Sequence, residues 1–191
     1  KLPFWIAADR TGTFLEAMLG ESDHANYELA SSTLALSTST VLYIKGDEIA
    51  SSTSIKDSSF SGKAITANGN ARTSGNGKIG NALYFDGTGD YLSTADDATL
   101  DFAAADNFSI DFWIRHAAIA TNPDYAITKA DATTGGYKVY MDASGDMCFD
   151  IDDDATWTPD DTACTSGIDY DDNNWHHVAA IKTGTTKIEL F

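Results

Sequence analysis

Basic residues are scarce in this sequence. Its 191 residues carry 12 Lys and Arg against 29 Asp and Glu, a net charge of −17. Nucleic acid and anionic membrane surfaces both require clustered cations to displace counterions, so neither is expected as a partner. Long apolar runs are missing as well: no stretch approaches the ~20 residues that a membrane helix needs, and membrane insertion is not expected. Glutamate is the rarer acid, five of the 29, at positions 16, 21, 28, 48 and 189, none of them paired on a strand-like stretch. That shortage argues against glycoside hydrolysis, which ordinarily uses two carboxylates about 5 Å apart as nucleophile and acid/base. The nearest approach is Asp150-Ile151-Asp152-Asp153-Asp154, with Glu at neither end. No Ser/His/Asp or Cys/His arrangement has supporting context either. His176 and His177 alternate faces on any regular strand, so they cannot chelate one ion together. An enzyme is not expected.

Cysteine is reduced to Cys148 and Cys164, which enclose 15 residues. They are either two unrelated buried thiols or a disulfide tying a strand to the far side of a loop, worth about 3 kcal/mol for a loop of that length. The disulfide is the expectation adopted, and with it an oxidising compartment.

What is present suffices for a core. Apolar residues make up 42% and aromatics 11%, which excludes a chain too polar to fold. Asp fills the acidic complement, and its preference for turns over helices points to a loop-rich β protein. Residues 1–39 differ from the rest. "RTGTFLEAMLGES" offers Thr13 as an N-cap, Glu16 as its capping-box partner and Gly20 as a stop, so one short helix is predicted there. This segment reads as an N-terminal arm or the tail of a preceding module.

From Thr40 to Phe191 the apolar signal has period two, broken every 8 to 15 residues by Gly, Asp or Asn. "TVLYIKG", "KAITANGNART", "NALYFDG", "YLSTA", "FSIDFWIRH", "YKVYMD", "MCFDID", "WHHVAAIKTG" and "TKIELF" are the strand candidates. Many short strands without intervening helices indicate an antiparallel sandwich or barrel. In "FSIDFWIRH", Phe108, Ile110, Phe112 and Ile114 share one face, and Ser109, Asp111, Trp113 and Arg115 the other. "MDASGDM" is a tight hairpin.

Three phrases in order, "FDGTGDYL", "FSIDFWIR" and "NWHHVA", resemble hallmarks of the LamG-like jelly-roll domains of the concanavalin A-like lectin and glucanase superfamily. The variant resembled is the one found in phage structural and bacterial surface proteins. The resemblance covers residues 40–191 and implies an all-β, antiparallel jelly-roll sandwich. It also implies strands beyond "TKIELF", so the domain is expected to be incomplete at Phe191 and to continue in a longer chain or be completed by further copies. An extracellular, cell-surface or virion location follows from the same resemblance.

Two acidic segments are candidate calcium sites. Asp86 and Asp90 flank the turn in "FDGTGDYL", where related domains often bind calcium; the competing reading is a turn and nothing more. Asp150, Asp152 and Asp154 follow D-x-D-x-D, although Ala155 stands where a calcium loop wants Gly; the competing reading is an acidic strand end. For carbohydrate, a pyranose stacks its C–H face on an exposed ring with polar neighbours to orient it. Trp157, Tyr125, Tyr170 and Trp113 are the candidates, with Tyr140 beside them. The function expected is a non-catalytic structural or adhesion protein with a lectin-like module for a glycan or a protein surface partner. The alternative is a purely structural assembly subunit of a virion or surface filament, and a glycoside hydrolase is remote.

Overall fold

The computed structural model describes residues 2–6, 39–117, 123–131, 135–154, 156, 158–185 and 187–191. The short helix expected near Thr13 lies outside them. Among the described residues the regular structure is all strand, apart from one 3₁₀ turn, Ala98–Leu100, capped by the Asp97 side chain. No helix of these residues is long and apolar enough to cross a membrane.

A six-stranded antiparallel sheet forms one layer. Its strands are β1 (Leu2–Ile6), β3 (Arg72–Ser74), β4 (Ala82–Phe85), β6 (Phe108–Ala117), β11 (Asp172–Thr183) and β12 (Lys187–Leu190), in the order β12-β11-β6-β1-β4-β3. The other layer has four strands, β7 (Asp124–Asp131), β8 (Gly135–Met141), β9 (Met147–Asp152) and β10 (Asp161–Cys164), in the order β10-β9-β8-β7. A separate ribbon pairs β2 (Thr66–Asn68) with β5 (Tyr91–Ser93).

Alternation along the strands makes the core. Ile110, Phe112 and Ile114 of β6, Leu83 of β4 and Val178 and Ala180 of β11 meet Tyr137, Val139 and Met141 of β8 and Met147, Phe149 and Ile151 of β9. Phe112, Phe149 and Val139 have no exposed surface, so the two sheets are packed face to face as a sandwich. One cation enters this interior. Lys182 of β11 is 5% exposed, and its Nζ donates to the carbonyls of Ala104, Asp106 and Gly184, pinning the 101–107 loop to the β11–β12 turn.

Leu2–Ile6, within the segment read as an arm or the tail of a preceding module, pairs with both β4 and β6 in the six-stranded sheet. The structure differs from the sequence reading in one segment. "TVLYIKG", read as the opening strand, makes only an isolated bridge, Ile44 with Asp57. The backbone here bonds to a side chain instead of a ladder: the Asp57 carboxylate accepts from the N–H groups of Tyr43, Ser59 and Lys63 and from the Ser59 hydroxyl.

Candidate functional site

The four-stranded sheet has a second face that is open at β7 and covered at β9, where Cys148, Asp150 and Asp152 are buried, and register sets what that face carries. Tyr125 of β7 lies beside Tyr140 of β8, Tyr140 beside Cys148 of β9, and Cys148 beside Cys164 of β10. The next row runs Thr128, Lys138, Asp150, Thr162 across the same four strands. A register shift between Tyr125 and Ile127 puts both Tyr125 and Thr128 outward while Ile127 packs on the core. The β7–β8 connection is close enough to require glycine: a Cβ on Gly136, at φ 132°, would lie 1.9 Å from the Lys129 carbonyl oxygen.

These side chains interlock. The Tyr125 and Tyr140 rings are tilted at 48° with centroids 5.7 Å apart, and the Lys138 ammonium stands 5.9 Å from the Tyr125 centroid. Thr162 donates its hydroxyl to Asp150 at 2.8 Å. Burial, then the Asp150 charge, pushes the Tyr140 phenol up to about 12, so it stays a protonated donor. Burial pulls Lys138 below the usual amine range, against the attraction of Asp150 and Asp152. Asp152 is 2% exposed; its Oδ1 accepts from the Asp154 N–H, and its Oδ2 has no hydrogen-bond partner among the described residues. Tyr125, by contrast, is 54% exposed. The result is an open ring, Tyr125, with the amine of Lys138 and the phenol of Tyr140 beside it on the neighbouring strand. Such a surface can stack an apolar ring face and orient the polar substituents around it.

The structure does not gather the four sequence-predicted aromatics into one site. Tyr125 is on this face. Trp113 is on the outer face of the other sheet, with the His177 ring 5.3 Å away and the Lys78 ammonium 4.9 Å above it. Tyr170, read as an exposed loop residue, is corrected: it is 2% exposed, packed in the core with its ring 4.9 Å from that of His176, and offers no face to a ligand. Trp157 lies outside the described residues. Lys138, Thr128 and Thr162 were not singled out from sequence, although Lys138 shares the strand phase of Tyr140 in "YKVYM" and was legible on that ground.

The candidate calcium ligands have other partners. All four oxygens of Asp86 and Asp90 accept from N–H donors: Thr88 N and Asn70 Nδ2 on Asp86, Asn70 N and Asp86 N on Asp90. That is how carboxylates fasten a turn. Asp154 accepts from the N–H and hydroxyl of Thr156. Among the described residues no group of three or more His, Cys, Asp or Glu is disposed to hold a metal ion. Cys148 and Cys164 are joined, S–S 2.01 Å, on neighbouring strands.

Comparison with known proteins adds a family. Residues 52–188 match the family model described as Clostridium neurotoxin, N-terminal receptor binding, a span from before β2 to within β12 and more than two thirds of the chain. No curated protein and no solved structure matches. The match is to a receptor-binding family, not to the LamG-like or phage structural families that the sequence motifs resemble.

Proposed function

We propose, because the chain belongs to the clostridial neurotoxin N-terminal receptor-binding family, that it is a non-catalytic recognition module which docks on a glycan-bearing surface. The observation that carries the reading is the exposed β7–β8 end of the outer face of the four-stranded sheet. Tyr125 presents a ring to solvent, with the Tyr140 ring 5.7 Å and the Lys138 ammonium 5.9 Å from its centroid. A pyranose stacked on Tyr125 would find these two groups of the neighbouring strand as its nearest polar partners. Asp150 and Thr162, bonded to each other on the next two strands, brace the sheet beside them. The Cys148–Cys164 bridge suits an oxidising, extracellular setting.

The test is a glycan array probed with wild type, Tyr125→Ala and Trp113→Ala, each in millimolar calcium and in chelator. Wild type should retain a set of neutral glycans, Tyr125→Ala should lose them at least tenfold, and Trp113→Ala, on the opposite sheet, should keep them. Calcium held by Asp86 and Asp90, or by Asp150, Asp152 and Asp154, belongs to this proposal only if chelator removes binding. Retention of no glycan by wild type in either buffer would overturn the reading.

A further inference from the structure

Charge is distributed unevenly in this acidic molecule, and the outer face of the six-stranded sheet is where the cations collect. Arg72 of β3 lies over the ring of Tyr84 of β4, its guanidinium carbon 4.6 Å from the centroid. Lys78, from the loop before β4, lies over Trp113 of β6 at 4.9 Å. Arg115 of β6 lies over Trp175 of β11 at 5.4 Å. His177 of β11 packs its ring against the same Trp113, centroids 5.3 Å apart. Register places all of these on one surface, since Arg72 pairs with Tyr84, Trp113 with His177 and Arg115 with Trp175. Five adjacent strands run from Arg72 on β3 to Trp175 on β11, a width of about 20 Å at the usual strand spacing.

None of the three basic side chains has a carboxylate partner among the described residues. Off this face, Lys45, Lys63, Lys129 and Lys187 each reach an Asp or Glu, whereas Lys182 donates to three backbone carbonyls. An aromatic face attracts a cation without cancelling its charge, so these three remain available to an anion from outside. Arg72 spends one nitrogen on Asn70, and the Nε of Arg115 is buried without an acceptor. The face's central carboxylate, Asp111, is only 14% exposed and leans toward His177 at 3.7 Å. Acceptors for sugar hydroxyls, abundant on the opposite sheet, are therefore few here.

We infer that this face is a docking surface for an acidic polypeptide segment of a partner protein. Side-chain carboxylates of such a segment would meet Arg72, Lys78, Arg115 and His177, and its aliphatic carbons would lie on Tyr84, Trp113 and Trp175. A flat, ring-paved surface with fixed cations is suited to that mixture of charge and apolar contact. It is separate from the glycan surface proposed above, because the two lie on opposite sides of the sandwich. One partner could be held on each.

The experiment measures fluorescence anisotropy of a labelled decapeptide of alternating Glu and Leu against the whole chain at about 0.15 M salt, where the molecule's overall negative field is screened beyond ~8 Å. Three proteins are compared: wild type, Arg72→Gln with Lys78→Gln, and Lys45→Gln with Lys56→Gln as a charge-matched control off this face. Neither Arg72 nor Lys78 is part of the core, so both variants should fold, which circular dichroism checks. Binding at least tenfold weaker in the Arg72/Lys78 variant, with the control unchanged, supports the inference. Equal binding by all three, or none by wild type, overturns it. So does retention of a heparin tetrasaccharide in place of the peptide, or a self-association of wild type, seen by sedimentation, that the Arg72/Lys78 variant loses.

Discussion

Asp57 does at one residue what a strand would otherwise do for residues 40–64. Its two oxygens take the N–H groups of Tyr43, Ser59 and Lys63, three donors from a stretch that forms isolated bridges and loop hydrogen bonds but no strand. Partial burial pushes the Asp57 carboxyl up, but those three N–H groups and the Ser59 hydroxyl outweigh it, and its pKa lies below the usual carboxylate value. A carboxyl lowered in the fold contributes stability that is present above its unfolded value, about 3.9, and is lost as pH falls through the lower folded one. Asn at this position keeps one acceptor and turns an amide donor toward the N–H groups. Asp57→Asn is therefore expected to lower stability by about 2 kcal/mol, the range for hydrogen bonds to a charged group. Urea unfolding at pH 7 measures it. In the same experiment repeated down to pH 3, the gap between variant and wild type should narrow, because protonated Asp57 has lost most of what Asn lacks. A gap that widens toward acid would contradict this account.

At the scale of the element, β10 is the strand most dependent on a covalent tie. It has four residues, lies at the edge of its sheet, and pairs only with β9. Cys164 joins it to Cys148 directly across that pairing, closing the acidic 153–160 loop. Replacing both cysteines by Ser should lower stability by about 3 kcal/mol, the chain-entropy value for a loop of this length. Amide exchange gives the sharper readout. The N–H groups of Asp161–Cys164 should exchange much faster in the variant while Phe112 and Val178, in the centre of the other sheet, keep their protection. Uniform loss across both sheets would show that the bridge supports the whole sandwich and not this edge. β10 also marks where sequence reading stopped. The long alternating stretch of β6 declared its faces, because it buries Ile110, Phe112, Ile114 and His116 between less buried neighbours, whereas β11 alternates less cleanly, with Val178, Ala179 and Ala180 all buried. "DTAC" is too short and too polar to do so, and "DYAITKAD" of β7 loses its alternation at the shift beside Tyr125. β1 was not read as a strand of this sheet because its partners come from residues 83–85 and 112–114, a pairing that no local pattern encodes. Tyr170 misled for a related reason: Asp neighbours suggest a loop surface, whereas packing into the core between the sheets puts the ring inside. The Tyr125 site was half legible, since its rings and carboxylates could be named but the register joining them could not.

For the whole molecule the governing quantity is the excess of carboxylates, and their mutual repulsion is visible locally. Asp153 lies above the usual carboxylate range because Asp160 shares a hydrogen bond with it and adds its own charge. Asp169 is raised in the same way beside Asp171. A carboxyl raised in the fold holds its proton more tightly there than in the unfolded chain. Its contribution is complete in acid, below the unfolded value, and is lost as pH rises through the folded one. Asp172 works in the other direction: hydrogen bonds from Asn174, then His176, hold it at about 2, so its contribution is lost only in strong acid. Between those limits, lowering pH relieves repulsion before it breaks carboxylate bonds. The chain should therefore melt higher near about pH 5 than at pH 8, within the window where such balances usually peak. Salt should act on the same repulsion. Raising ionic strength from about 0.01 M to 0.15 M shortens the screening length from about 30 Å to about 8 Å. The melting temperature at pH 8 should rise with it, and the gain should shrink at pH 5, where fewer charges remain to be screened. Scanning calorimetry over a grid of two pH values and two salt concentrations measures both effects. Equal salt dependence at the two pH values would show that the net charge of −17 is dispersed too widely to govern stability.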